Sequence, residues 1–258
     1  KRAYGNPPGL IIPGCSQKAT FLQSILGPVY LLCYNFTAMP IRILPQEVIS
    51  RIAAGEVIER PASVVKELIE NAIDAGASSI SIEIRDGGLS LIRVADDGSG
   101  IPREDVPLLF ERFATSKISS PEDLQAIRTL GFRGEALASI AAVAKVEILT
   151  RAKGEEVGTR LIAEGGTKAI ETAASPQGTL VTVRNLFYNV PARRKFLKSP
   201  FRETELVRNT VIRYALSYPQ IAFRFIADGR ERLLAPGARP LERIAQTLGR
   251  DVASEMVG

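Results

Sequence analysis

P-A-S-V-V-K-E-L-I-E-N-A-I-D-A-G, Pro61 to Gly76, is the stretch from which the rest of the chain is read. Val64, Val65, Leu68, Ile69, Ala72 and Ile73 recur at the i, i+1, i+4, i+5 spacing of one buried helical stripe. Pro61 or Ser63 can begin that helix, and Gly76 is placed as the C′ residue that ends it. Beside the stripe, Glu67, Asn71 and Asp74 stand at i, i+4 and i+7, stacked along one edge. Helix stability requires no such row, and taken alone it also fits a solvated face.

The segments that follow give the row a setting. Ser79 to Arg85 alternates strictly, with Ile80, Ile82 and Ile84 on one face of a strand. Asp86-Gly87-Gly88 is a turn signal, and Leu89 to Ala95 returns as a second strand, predicting a hairpin. That strand runs into Asp96-Asp97-Gly98-Ser99-Gly100, a loop whose glycines let backbone come close to a ligand. By itself such a loop is an ordinary turn. Behind an E-x-x-x-N helix it carries more weight.

Four stretches in this order, E-L-I-E-N-A-I-D-A-G-A from Glu67, D-D-G-S-G-I from Asp96, A-T-S-K-I from Ala114 and G-F-R-G-E-A-L from Gly131, resemble the MutL family of DNA mismatch-repair ATPases. That family sits in the wider GHKL group with gyrase, the heat-shock ninety chaperones and histidine kinases. F-Y-N-V-P-A-R-R-K-F, from Phe187 to Phe196, is a stretch of MutL-like proteins within the group. The likeness is specific from Met39 to about Lys198 and looser to Gly258. It implies an α+β, Bergerat-type ATP-binding fold, a two-layer sandwich of a mixed, mostly antiparallel sheet with helices on one face. The implied organisation is a non-family extension over 1–38, an ATPase domain over 39–237 and the start of a second, S5-like domain over 238–258.

The reaction needs an activated water, a divalent cation on the polyphosphate, and a group that recognises adenine. Glu67, a carboxylate on a rigid helix, suits the general base. Asn71, one turn on, offers a hard amide oxygen to Mg²⁺. Asp96 can accept a hydrogen bond from the adenine amine, which selects against guanine. The resemblance implies the same roles for these three positions. It also implies that Thr179, in Gly178-Thr179, helps seat adenine.

Between Ala114 and Gly134 the chain supplies Thr115-Ser116-Lys117 and Gly131-Phe132-Arg133-Gly134, ahead of a helix over Glu135–Ala144. Small residues, cations and a helix start form a phosphate-binding lid, with Gly100 among the nucleotide contacts. A mobile surface loop with a capping glycine is the alternative. No Gly-Lys pair occurs anywhere, so this is not a P-loop enzyme.

Composition narrows the field further. The chain contains no histidine, which excludes His-dependent triads, His-ligated zinc and a phospho-accepting histidine. Cys15 and Cys33 are its two cysteines, so past Met39 there is neither a disulfide framework nor a thiolate metal site. Of the net charge of +5, Lys1, Arg2 and Lys18 contribute +3, leaving the body nearly neutral. Local basicity is confined to Arg184–Arg213, where Arg193, Arg194, Lys195, Arg208 and Arg213 are candidates for weak, salt-sensitive DNA contact. A solvated helix face is the other reading of that stretch.

Residues 1–38 are expected to precede a natural start at Met39, as a cloning remnant or a mistaken start codon, with a targeting segment as the alternative. Phe21 to Phe36 is too short and interrupted for a membrane span. A helix within Ile41–Ile58 has Val48, Ile49, Ile52 and Ala53 as its apolar face. In the family this arm reaches across to the partner subunit, and the extra residues before it could hinder pairing. Pro102–Phe113 reads as a short helix, broken at Pro107, with Leu108, Leu109 and Phe113 inward. Further strands are expected at Val146–Arg151, Thr159–Ala163 and Gly178–Arg184, then a helix over Glu203–Tyr218 and a hairpin about Asp228-Gly229.

The implied function is a slow, Mg²⁺-dependent ATPase that forms a homodimer on ATP binding and couples mismatch recognition to repair. Its partners would be a MutS-like recognition protein, a downstream nuclease or helicase, and DNA, in the bacterial cytoplasm at the nucleoid. The family's γ-phosphate lysine belongs to the second domain, so hydrolysis by this chain is expected to be crippled even where binding is intact. Its C-terminal dimerisation region is also absent, so pairing should depend on ATP and be weak. The alternatives are an ATP-responsive DNA- or partner-binding module without significant turnover, and a gyrase-like ATPase domain.

Overall fold

Helix α1 (Pro61–Asp74) starts with Pro61 in its first turn after an extended Arg60 and stops before Gly76, whose φ of +71° is a left-handed conformation that glycine adopts at low cost. Val64, Val65, Leu68, Ile69 and Ala72 are buried as the stripe predicts, with Ile73 half-buried. Each larger aliphatic withdrawn this way contributes about 1.5–3 kcal/mol. The computed structural model describes residues 43, 45, 57–117, 120, 122–123, 129–131 and 133–255. Of the helix expected within Ile41–Ile58, all but Ile43, Pro45, Val57 and Ile58 lie outside the described residues, as does Phe132 of the lid.

The unit from Leu44 to Gly258 is built on an eight-stranded sheet. Its strands are β1 (Ser79–Arg85), β2 (Leu91–Asp96), β3 (Lys145–Arg151), β4 (Gly158–Glu164), β5 (Thr167–Ala173), β6 (Gly178–Arg184), β7 (Ala222–Ala227) and β8 (Arg230–Ala235). They are ordered β5-β4-β3-β6-β2-β1-β7-β8. Every pairing is antiparallel except β1 with β7. Register carries an apolar row across the sheet through Phe225, Ile82, Val94, Val181, Ile148 and Leu161, all buried. These side chains share one core with α1, α2 (Ala136–Val143) and α4 (Pro200–Ser217). The alternate strand positions carry charge pairs instead, Glu83 with Arg93 and Arg160 with Glu147 and Glu171. The two-layer α+β expectation therefore holds, because period-two alternation leaves one sheet face for the helices.

Helix α4 packs on α1, and the Tyr214 hydroxyl donates to Glu70 Oε1 at 2.5 Å. Burial, followed by that carboxylate, pushes the Tyr214 phenol well above its usual range. Three shorter helices accompany these elements, α3 (Pro191–Lys195) before α4, and α5 (Pro240–Leu248) leading into α6 (Arg250–Glu255).

Some local expectations fail. The stretch before the lid is a single 3₁₀ turn, Val106–Leu108, with Val106 buried, while Leu108 and Phe113 are 53% and 72% exposed rather than inward. Pro107 breaks the α-helical period on which the inward assignment rested. Strand β5 was not foreseen because it has no buried face: it is an edge, exposed along nearly its whole length. Past Pro236-Gly237 the chain continues as α5, whose Arg243 is wholly buried. Its guanidinium donates to the carbonyls of Ala235, Pro219, Ile221 and Pro236 and lies 5.9 Å from the Phe223 ring centre.

Candidate nucleotide site

Asp96 ends β2 at the point where the sheet's inward row turns polar. Register aligns Asp96 with Thr179, Thr179 with Thr150, and Thr150 with Thr159. Thr150 Oγ1 lies 3.0 Å from Thr179 Oγ1, donates to Gly178 O and accepts from Ile101 N at 2.9 Å. Thr159 Oγ1 is buried with no partner among the described residues. Sequence reading singled out Thr179 but missed Thr150. The signal was there, since Thr150 occupies the inward phase of Val146 and Ile148.

The neighbouring carboxylates have opposite fates. Burial, with the charge of Asp97 adding to it, pushes the Asp96 carboxyl above its ordinary range, against hydrogen bonds from the backbone of Gly98 and Thr179. Asp97 turns away from that row. Its Oδ1 accepts from the amides of Ser78 and Ser79, both at 2.8 Å, and its Oδ2 from the Ser78 hydroxyl. Desolvation pulls Asp97 upward, but these bonds outweigh it and hold the carboxyl below the usual value. Asp97 thus clamps the start of β1 while its charge still bears on Asp96.

Glycines let this loop close on its surroundings. A Cβ on Gly178, at φ +111°, would lie 2.1 Å from Asp96 O, and one on Gly100, at φ +69°, 2.0 Å from Arg151 O. We expect Gly178→Ala to lose about 2–6 kcal/mol in denaturant unfolding, from strain and overpacking together. Gly229→Ala, at φ +75° in open space, should lose only about 1–2 kcal/mol. Equal losses in the two variants would sink the close-approach account.

The loop is fastened to the end of α1. Ser99 N donates to Ala75 O at 2.9 Å, and Ala75 N to Asn71 O at 3.0 Å. From the other side the lid reaches the same turn. Lys117 Nζ donates to Asn71 Oδ1 at 2.9 Å and to Asp74 Oδ2 at 2.6 Å. The Asp74 carboxylate, 7% exposed, also accepts from Leu130 N at 2.9 Å and Gly131 N at 3.3 Å. Thr115 Oγ1 accepts from Lys117 N, and Phe113 N donates to Gly134 O, so the two ends of the lid lie side by side. Ser116 and Arg133 are exposed. Glu67, one turn before Asn71, is 22% exposed and paired with Lys66 at 2.9 Å. Lys66 also holds Glu70. Desolvation draws the Lys66 ammonium downward, but these two carboxylates outweigh it and raise the group above its ordinary value.

The F-Y-N-V-P-A-R-R-K-F stretch turns out to be heavily involved in packing. Phe187 is fully buried, its amide donating to Val143 O, and Asn189 Nδ2 donates to Ala142 O. Arg193 donates to Ile58 O at 2.7 Å and lies 5.9 Å from the Phe187 ring centre. Arg194, Lys195 and Arg213 are exposed, while half-buried Arg208 pairs with Glu205 at 3.9 Å.

Residues 58–179 match the family model described as histidine kinase-, DNA gyrase B-, and HSP90-like ATPase, which sets the class. The chain is 50% identical over 217 residues to the DNA mismatch repair protein MutL of Thermodesulfovibrio yellowstonii, covering 84% of this chain and 40% of that one. Against the MutL of Dictyoglomus thermophilum identity is 52% over 207 residues, covering 80% and 36%. The solved Aquifex aeolicus MutL ATPase domain complexed with ADP is similar at 35% identity and a TM-score of 0.63, covering 74% of this chain and 70% of that one. This chain belongs to the MutL family of DNA mismatch-repair proteins, in the region of its ATPase domain. It spans 40% or less of the length of the two curated relatives.

Proposed function

We propose that this chain binds ATP with Mg²⁺ and hydrolyses it slowly, as the nucleotide-responsive part of a mismatch-repair clamp. The observation that carries the reading is the meeting, at one turn of α1, of three stretches far apart in sequence. Asn71 and Asp74 belong to the helix, Lys117 to the near side of the lid, and Leu130 and Gly131 to its far side. In this reading Asp96 takes the adenine amine, with Thr179 and Thr150 beside it. Gly100 allows close backbone approach to the nucleotide. Thr115, Ser116, Lys117, Gly131, Phe132, Arg133 and Gly134 surround the phosphates, and Glu67 orients and deprotonates the attacking water.

The residues fit the cation. Asn71 Oδ1 is a hard oxygen that already faces a positive charge, the Lys117 ammonium. No group of three or more His, Cys, Asp or Glu gathers among the described residues, so Mg²⁺ would be held by Asn71 together with the nucleotide's own oxygens. When bound it would neutralise charge developing on the phosphates.

ATP-dependent pairing of two copies, a MutS-like partner, a downstream nuclease or helicase, weak DNA contact and a place at the bacterial nucleoid belong to the same proposal. They rest on kinship with the MutL relatives. Among the described residues no helix is long and apolar enough to cross a membrane. The limits of the domain, 39–237 with a second domain beginning at 238, are likewise proposed.

Calorimetric titration with a non-hydrolysable ATP analogue, with and without Mg²⁺, tests the reading. Mg²⁺-dependent binding supports it, and no binding refutes it. For DNA, the exposed pair carries a separate expectation. Replacing Arg194 and Lys195 together by Ala should flatten the salt dependence of duplex binding by about 0.9 for each phosphate that is no longer neutralised. Arg193→Ala should instead lower stability, because its guanidinium is bound to Ile58 O. An unchanged salt slope in the double variant would remove DNA contact from Arg194 and Lys195.

A further inference from the structure

We infer that Lys117 is a displaceable counter-ion whose ammonium holds Asn71 and Asp74 together until Mg²⁺-nucleotide takes the Asn71 oxygen, while Asp74 holds the far side of the lid throughout. The inference rests on the nucleotide-site reading above and extends it to the order of events at one oxygen.

The geometry is specific. Asn71 Oδ1 is the atom proposed to meet Mg²⁺, and here it accepts from Lys117 Nζ at 2.9 Å. The same ammonium is 2.6 Å from Asp74 Oδ2, in a pair whose side chains are 21% and 7% exposed. Solvent screening is weak at such a site, and an N⁺–H···O⁻ bond of this length is among the stronger ones. Asn71 Oδ1 has two lone pairs, but a divalent cation on one would strongly repel an ammonium 2.9 Å away on the other in so little-exposed a place. Binding of the metal-nucleotide must therefore move Lys117, and the nearest new anions would be phosphates.

Asp74 would not follow it. Both its oxygens are engaged, Oδ1 by Leu130 N and Oδ2 by Gly131 N as well as by Lys117. Losing the ammonium leaves the two amides in place, so the far shoulder of the lid stays on α1 while the near shoulder is released. Asp74 is a positioning residue in this scheme and touches no substrate. The exchange ties the lid's freedom to the same event that loads the cation, by replacing one charge with another at a fixed carboxamide.

Acylation of lysine amines, followed by peptide mass spectrometry, reads the state of Lys117 independently of turnover. In the nucleotide-free protein, Lys117 should react about tenfold more slowly than exposed Lys195, because its amine is held in two hydrogen bonds. Mg²⁺·ADP should speed Lys117 labelling, and Mg²⁺ with a non-hydrolysable ATP analogue should slow it again as the third phosphate takes the ammonium. Asp74→Asn should raise the nucleotide-free rate toward that of Lys195. The nucleotide comparison on the unmutated chain stands even where that variant does not fold. A nucleotide-free Lys117 as reactive as Lys195 would overturn the inference, as would an unchanged rate once calorimetry shows Mg²⁺·ADP bound. Failure of Mg²⁺·ADP to bind in calorimetry would instead refute the nucleotide-site reading itself, leaving the Lys117–Asp74 pair as a structural tie.

Discussion

Replacing Glu67 by Ala is expected to reduce phosphate release by about 10²–10⁴-fold while leaving binding of the Mg²⁺-ATP analogue within about threefold of the unmutated chain. The split follows from where Glu67 stands. It lies one turn before Asn71 on the same edge of α1, where the proposed reading puts the phosphates, and its carboxylate is paired with Lys66. Removing it does not strand that cation, because Lys66 keeps Glu70 at 2.9 Å. Nor does it open the core, because the buried stripe is Val64, Val65, Leu68 and Ile69. Fold and binding should therefore survive, and the loss should fall on the chemical step. Single-turnover phosphate release, set beside calorimetry on the same preparations, is the measurement. A variant that keeps more than about a third of its turnover would show that another group activates the water.

Asp96→Asn should act the other way, weakening recognition and leaving the fold slightly better off. The Gly98 amide now holds Asp96 Oδ1 at 2.9 Å and would hold the asparagine oxygen equally well. That turns the new amide N–H₂ toward the adenine amine, donor against donor. A missing hydrogen bond to a charged acceptor together with an unpaired donor should weaken nucleotide binding by about 10–150-fold.

Stability carries the opposite sign. The folded Asp96 carboxyl is raised above its unfolded value, so the native state holds the proton more tightly than the unfolded chain. Asp96's favourable contribution is present below its unfolded pKa and is lost as pH rises through the folded one. At neutral pH the ionised, partly buried carboxylate is therefore a cost that asparagine removes. Melting of Asp96→Asn should exceed that of the unmutated chain at pH 7, and the gap should close as pH is lowered toward about 4. Asp97 behaves conversely. Its carboxyl is lowered in the fold, so the Ser78 and Ser79 bonds stabilise above the unfolded value and are lost as acid protonates them. Melting that is equal at pH 7 and weaker binding without donor conflict in a co-structure would together reject this account of Asp96.

Much of the molecule was legible in the chain. Helix α1, the β1–β2 hairpin and the β7–β8 hairpin follow from local rules, apolar period, a left-handed glycine and turn residues, which act within a few positions of each other. Glu67, Asn71 and Asp96 were singled out as site candidates by residue type and placement together with family likeness, and Thr179 by family likeness alone. Other features had no local cause. Strand β5 exists because β4 offers it an edge, and nothing in T-K-A-I-E-T-A demands a strand on its own. The inward assignment of Leu108 and Phe113 failed because an apolar residue is buried only where the fold supplies a neighbour. Arg193, one of the candidates for DNA contact, is tied to Ile58 O and lies beside Phe187, a choice made by a carbonyl far away in the chain. Asp74 is the sharpest case. In the sequence it is the third member of a polar row with no role of its own. In the fold its two oxygens gather Lys117, Leu130 and Gly131, because a buried carboxylate must find donors and tertiary packing alone brings them within reach.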